Sequence, residues 1–71
     1  MDLMTVQVGK EYIVHRVNTQ DEELDAFLFS LGCYASQPIT VISRGKSSCT
    51  VAIKDGRYHI DRYLAQAIEV E

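Results

Sequence analysis

The sequence predicts a small, mostly β domain: a closed or nearly closed barrel of five to six short strands, with one short α-helix near its front. Three observations lead there. Segments such as "ITVIS" and "CTVAIK" alternate apolar and polar residues with the period of a half-buried strand. Only one stretch, after Thr19, carries apolar residues at helical spacing between a start and a stop signal. At 71 residues the chain is one domain, with no repeat, linker or low-complexity segment to divide it. Short strands in number with a single helix are the pattern of a small barrel.

Taken in order, "LMTVQV" (3–8) and "YIVHRV" (12–17) read as two strands punctuated by Gly9. Thr19-Gln20-Asp21-Glu22 fits a capping box, in which a hydroxyl and a carboxylate satisfy opposite orphan amides, so a helix over about 20–31 is expected. Asp21, Glu22, Glu23 and Asp25 fill its first turns, where the helix dipole favours negative charge; they fan out around the helix rather than converging as metal ligands do. Leu24, Phe27, Leu28 and Leu31 fall at i, i+3, i+4 and i+7. That stripe is expected to cover one opening of the barrel and pack on Val14, Val41, Val51, Ile53 and Ile68. Gly32 follows as the residue that closes a helix in the left-handed conformation.

Beyond the turn, "PITVI" and "CTVAIK" supply two strands, and Lys54-Asp55-Gly56-Arg57 holds the Asp-Gly pair of a two-residue hairpin leading into "RYHID". Arg62–Gln66 has room for one helical turn. "AIEVE" then forms a last strand with Ile68 and Val70 on one face.

Composition narrows the function classes. Net charge is −3, and four of the five basic residues of the second half sit in two places, Arg44 with Lys46 and Lys54 with Arg57, a strand length apart. No continuous phosphate track results, which argues against nucleic-acid binding. Cys33 and Cys49 could make one bridge at most, so reduced thiols in the cytosol are expected. Cys33, just past a helix C-terminus, should be an unreactive thiol. The N-terminus has no basic region followed by an apolar run and so does not read as a secretory signal. An uncharged run of 18 residues, Ala26 to Ser43, reaches spanning length, but Gly32, Ser36, Gln37 and Pro38 break it, and a soluble chain is expected. Catalytic signatures and glycine-rich phosphate loops are missing. His15, Cys33, Cys49 and His59 add up to a two-His, two-Cys set without the local spacing of a zinc site; Cys49 reads as a buried hydrophobe and both histidines as solvent-facing strand residues.

One resemblance covers nearly the whole chain. Leu3, Gly9, Tyr12, Val14 and Val17, then Leu28, Leu31 and Gly32, then Ile39, Val41 and Ile42, and finally "YHIDRYLAQAIEV" with Ala65, Ile68 and Val70 are similar to the ferrous iron transport protein A family (FeoA). These are small bacterial cytosolic proteins with an SH3-like barrel, a module that also occurs as the C-terminal domain of iron-dependent repressors. The resemblance implies a non-enzymatic accessory protein of ferrous iron uptake, needing no cofactor. It would act on the cytosolic, GTPase-containing part of the FeoB membrane transporter and reach the inner membrane only through that partner. It does not imply that the chain binds iron itself. The sequence departs from the family at Ala35 and Ser36, where a Pro-Gly or Glu-Gly is usual, and at Ile60 and Asp61, where Leu-Arg is frequent. Serine is there asked for a positive φ that glycine takes freely. A second reading is a protein that delivers or senses Fe(II) or Zn(II) through His15, Cys33, Cys49 and His59. A third, a fragment of a repressor, is disfavoured by Met1 and the lack of a preceding DNA-binding segment.

An adaptor needs a docking surface, and the helix-to-strand join is the candidate. On a helical wheel Phe29 points ~150° from the centre of the apolar stripe, away from the barrel. With Tyr34 and the close backbone at Gly32 it would make a small apolar patch, and Arg44 and Lys46 would supply polar rim contacts if their turn lies nearby. Self-association is left open.

Overall fold

Alternation does shape the strands: along Ser48–Ile53, Cys49, Val51 and Ile53 are buried while the residues between them are only partly covered. A computed structural model describes residues 1–71. Its elements are β1 (Glu11–Val17), α1 (Glu22–Ser30), β2 (Pro38–Arg44), β3 (Ser48–Ile53), β4 (Gly56–Asp61), α2 (Arg62–Ala67) and β5 (Ile68–Val70). The five strands pair antiparallel in one sheet of order β4-β3-β2-β1-β5. Register shifts between Val14 and Arg16 on β1 and between Val41 and Ser43 on β2 mark bulges, which bend a sheet and let it curl. The result is the small SH3-like fold expected.

Inside the curl, Val14, Ile39, Val41, Val51, Ile53 and Ile68 are among 15 residues of one apolar cluster. α2 bridges β4 to β5 and buries Ala65 completely; the Asp61 carboxylate caps it by accepting the Leu64 amide at 2.9 Å. None of the helices is long and apolar enough to cross a membrane.

Four expectations need correction. Residues 3–8 are not a strand. Leu3 and Val6, three apart, are both buried, which a turn allows and an alternating strand does not; the Thr5 amide bonds the Asp2 carbonyl at 3.1 Å, and only Asp2 makes an isolated bridge, to Glu69. α1 starts later than 20 because its N-cap is Asp21, whose carboxylate accepts the Glu23 and Leu24 amides, while Gln20 takes φ 63 and breaks the helical path. The Thr19 hydroxyl instead accepts the Asp21 amide and lies 2.5 Å from Asp25. The apolar stripe is only partly used: Leu28 is 1% exposed and Leu31 packs on the cluster, but Phe27 is 48% exposed, because so short a helix meets the barrel mainly through its last turn. In the β3–β4 hairpin, Ile53 pairs with Gly56, so Lys54 and Asp55 form the loop one residue earlier than the Asp-Gly signal suggests, with Lys54 at φ 51.

Candidate functional site: the corner between α1 and β2

Gly32 ends α1 through two backbone bonds. Its own amide donates to Phe29 O at 3.0 Å and the Cys33 amide donates to Leu28 O at 2.9 Å, with Gly32 at φ 95. This double closure is the Schellman arrangement, and it turns the chain sharply away from the helix axis. A second tight turn follows, in which the Gln37 amide bonds Tyr34 O at 3.1 Å and Ser36 holds φ 78, so the turn keeps its left-handed residue although serine stands where the family usually has glycine. Ser36 N to Val14 O and Val14 N to Gln37 O, both 2.9 Å, tie that turn to β1. Few of the turn's backbone torsions are left free.

The geometry brings two aromatics together on this corner. Phe29, 63% exposed, and the half-buried Tyr34 have ring centroids 4.7 Å apart at 30°. Lys54 completes the group from the β3–β4 hairpin: its Nζ donates to the Tyr34 hydroxyl at 3.1 Å and sits 5.3 Å from the ring centroid. Its stem lies across Gly32, where an added Cβ would meet Lys54 Cδ at 3.0 Å. Gly32 is thus required both by its φ and by what crosses it. Beside the aromatic pair an open cleft of about 280 Å³ is bordered by Arg16, Asp25, Phe29, Tyr34 and Ala35, with the buried Cys33 at its lining. Asp25 is held by Thr19, whose amide and hydroxyl both approach its Oδ1, and Arg16 donates from Nε to Glu69 at 2.9 Å.

Arg44 and Lys46 lie elsewhere. The Arg44 guanidinium donates to the carbonyls of Leu3, at 3.4 Å, and Val6, clamping the N-terminal turn. Arg44 ends the strand that Pro38 begins at the corner, ~20 Å away at about 3.3 Å per residue. Lys46 is exposed in the turn that follows. The cations of the corner are Lys54 and Arg16. Lys54 was legible only as a charge in a hairpin, since its place over Gly32 depends on a contact across more than twenty residues.

The His and Cys residues are likewise apart. Cys33 and Cys49 are both free thiols, each 1% exposed within the core. His15 Nδ1 lies 2.8 Å from the Glu71 carboxylate and His59 Nδ1 lies 3.1 Å from the Thr50 hydroxyl, both at the surface. No group of three or more His, Cys, Asp and Glu side chains is gathered as a metal ion would require. Burial pushes the Cys33 thiol up to about 11 and raises that of Cys49, which the nearby Arg44 charge pulls partly back.

The model of the FeoA domain matches residues 1–71. The chain belongs to the FeoA family. FeoA domains are associated with ferrous iron transport and are of a non-catalytic kind. None of the curated proteins matches the sequence. A solved structure, described as a manganese-dependent transcriptional repressor, is similar with a TM-score of 0.88 and 24% identity, covering 99% of this chain and 40% of that one. At such identity the likeness speaks for the fold alone, and the chain spans 40% of the repressor's length.

Proposed function

We propose that this FeoA chain is a non-enzymatic adaptor of bacterial ferrous iron uptake that docks on the cytosolic, GTPase-containing region of a FeoB-like transporter through the α1–β2 corner. In this role it works in the cytoplasm and comes to the inner membrane only with its partner. One observation carries the choice of surface: Phe29 is the most exposed aromatic side chain of the chain, and it is stacked on Tyr34 at a corner whose backbone is bonded on both sides. Rigid aromatics lose little rotamer entropy on binding and so anchor interfaces well. Arg16 and Lys54 flank the pair and favour a partner segment with an apolar side chain next to carboxylates.

The test is a pull-down of Phe29→Ser and Tyr34→Ser against the transporter's cytosolic region. The proposal expects both variants to stay folded, melting only several degrees below the parent for the lost ring–ring and Lys54–Tyr34 contacts, and to lose capture. Unchanged capture by folded variants would move the interface to another face.

A further inference from the structure

The sheet has two edges, and only one is covered. At β5 the N-terminal residues close the edge: Val70 N bonds Met1 O at 2.8 Å and Asp2 bridges Glu69. β4 has no such cover. Its pairing with β3 places Ile53 opposite Gly56, Val51 opposite Tyr58 and Cys49 opposite Ile60, and the Arg62 amide continues this series by donating to Ser47 O at 2.8 Å. Hydrogen-bonded and non-bonded positions alternate along an antiparallel strand, so the backbone groups of Arg57, His59 and Asp61 point away from β3. All three residues are exposed, and no loop of the chain bonds this edge.

An open edge invites another strand, and side chains decide which. Around His59 the β4 charges are arranged with opposite sign: Arg57 two residues before it, Asp61 two residues after it. We propose that β4 pairs antiparallel with β4 of a second copy of this chain, about a two-fold axis at His59. In that register His59 faces His59 of the other copy, and each Arg57 faces an Asp61. Two bonds form between the histidine backbones, and each Asp61 amide reaches the opposing Arg57 carbonyl. Like charges facing each other would block such an edge, whereas here both cross-strand pairs attract. The charges select this register, since a slip by two residues along the edge unpairs them. Five residues of edge make a small interface, so the dimer is weak, forms with concentration and leaves the aromatic corner free.

Two measurements test it. Amide spectra of the chain are recorded on dilution from about 1 mM to about 20 μM at low salt, and sedimentation gives the dissociation constant; Arg57→Glu turns both attractive pairs repulsive and should weaken association about tenfold or more. Mixing Arg57→Glu with Asp61→Lys restores complementarity in a heterodimer and should recover association that neither variant shows alone, measured well below the lower melting temperature that Asp61→Lys has for want of the α2 cap. His59→Pro removes an amide that β3 does not use, so it should abolish association while leaving the melting temperature near the parent's. Shifts confined to 57–61 together with these responses support the pairing. A chain that stays monomeric to about 1 mM, association indifferent to Arg57→Glu, or shifts that map to another face would overturn it.

Discussion

Replacing Gly32 by alanine tests the corner at its narrowest point. Two costs add. The first is conformational: at φ 95 an alanine sits in a region that L-residues avoid, a penalty of about 1–2 kcal/mol. The second is steric, because the new Cβ would meet the Lys54 stem at 3.0–3.1 Å and push its ammonium from the Tyr34 ring. An exposed cation–π contact is worth about 0.5–1 kcal/mol. Together the loss is about 1.5–3 kcal/mol, a shift of roughly 6–24 °C in Tm for a domain this small. Thermal unfolding of a double-mutant cycle separates the parts. In a Lys54→Ala background the stem is gone, and Gly32→Ala should cost only the conformational share of about 1–2 kcal/mol. If Gly32→Ala costs the same with and without Lys54, the side chain does not rest on this glycine and the corner is not the coupled unit described above.

Leu28→Ala should cost about 2–5 kcal/mol, because Leu28 is 1% exposed within the core, whereas Phe27→Ala should cost well under half of that; chemical denaturation of both compares them directly. Asp21→Ala removes the carboxylate that accepts the Glu23 and Leu24 amides and should destabilise by about 1 kcal/mol, read from the urea midpoint. Cys33 makes stability depend on pH at the alkaline end. A thiol raised from 9.0 to about 11 holds its proton more tightly when folded, so this contribution is complete below pH 9.0 and is lost as pH climbs to about 11. The parent should therefore lose about 2–3 kcal/mol more than Cys33→Ala across that window. Alkylation at neutral pH without denaturant should be slow at both cysteines, and mass spectrometry after unfolding should find two modified thiols.

Local signals carried much of this fold. Leu28, Leu31 and Gly32 announce a helix end because the closing bonds join neighbours in sequence, and alternation through Cys49, Val51 and Ile53 announces a strand because burial follows the pleat. The direction of Phe29 also follows from the wheel alone. What failed depends on distant partners. Residues 3–8 resemble a strand in composition, but the Arg44 guanidinium takes the carbonyls of Leu3 and Val6, and the Tyr12 hydroxyl accepts the Gln7 amide at 3.0 Å, holding a turn that no local pattern announces. Phe27 has the same claim to burial as Leu28 on the wheel; only the place where the helix meets the barrel decides between them. At the start of α1 the hydroxyl of Thr19 and the carboxylate of Asp21 compete for the same role. The left-handed turn at Gln20 gives it to Asp21 and leaves Thr19 to bond Asp25. Charge runs in sequence do not reveal which hairpin end lies beside which turn, so Lys54 belongs to the corner while Arg44 and Lys46, expected there, do not.

The adaptor account rests on where the partner binds, and amide shifts of the labelled chain during titration with the transporter's cytosolic region measure that most directly. The account predicts shifts concentrated at Arg16, Phe29, Gly32, Tyr34 and Lys54, abolished by Phe29→Ser in a variant that keeps its fold. Shifts centred on the Arg44–Lys46 end of the barrel or on β4, or no shifts at saturating partner, would contradict it.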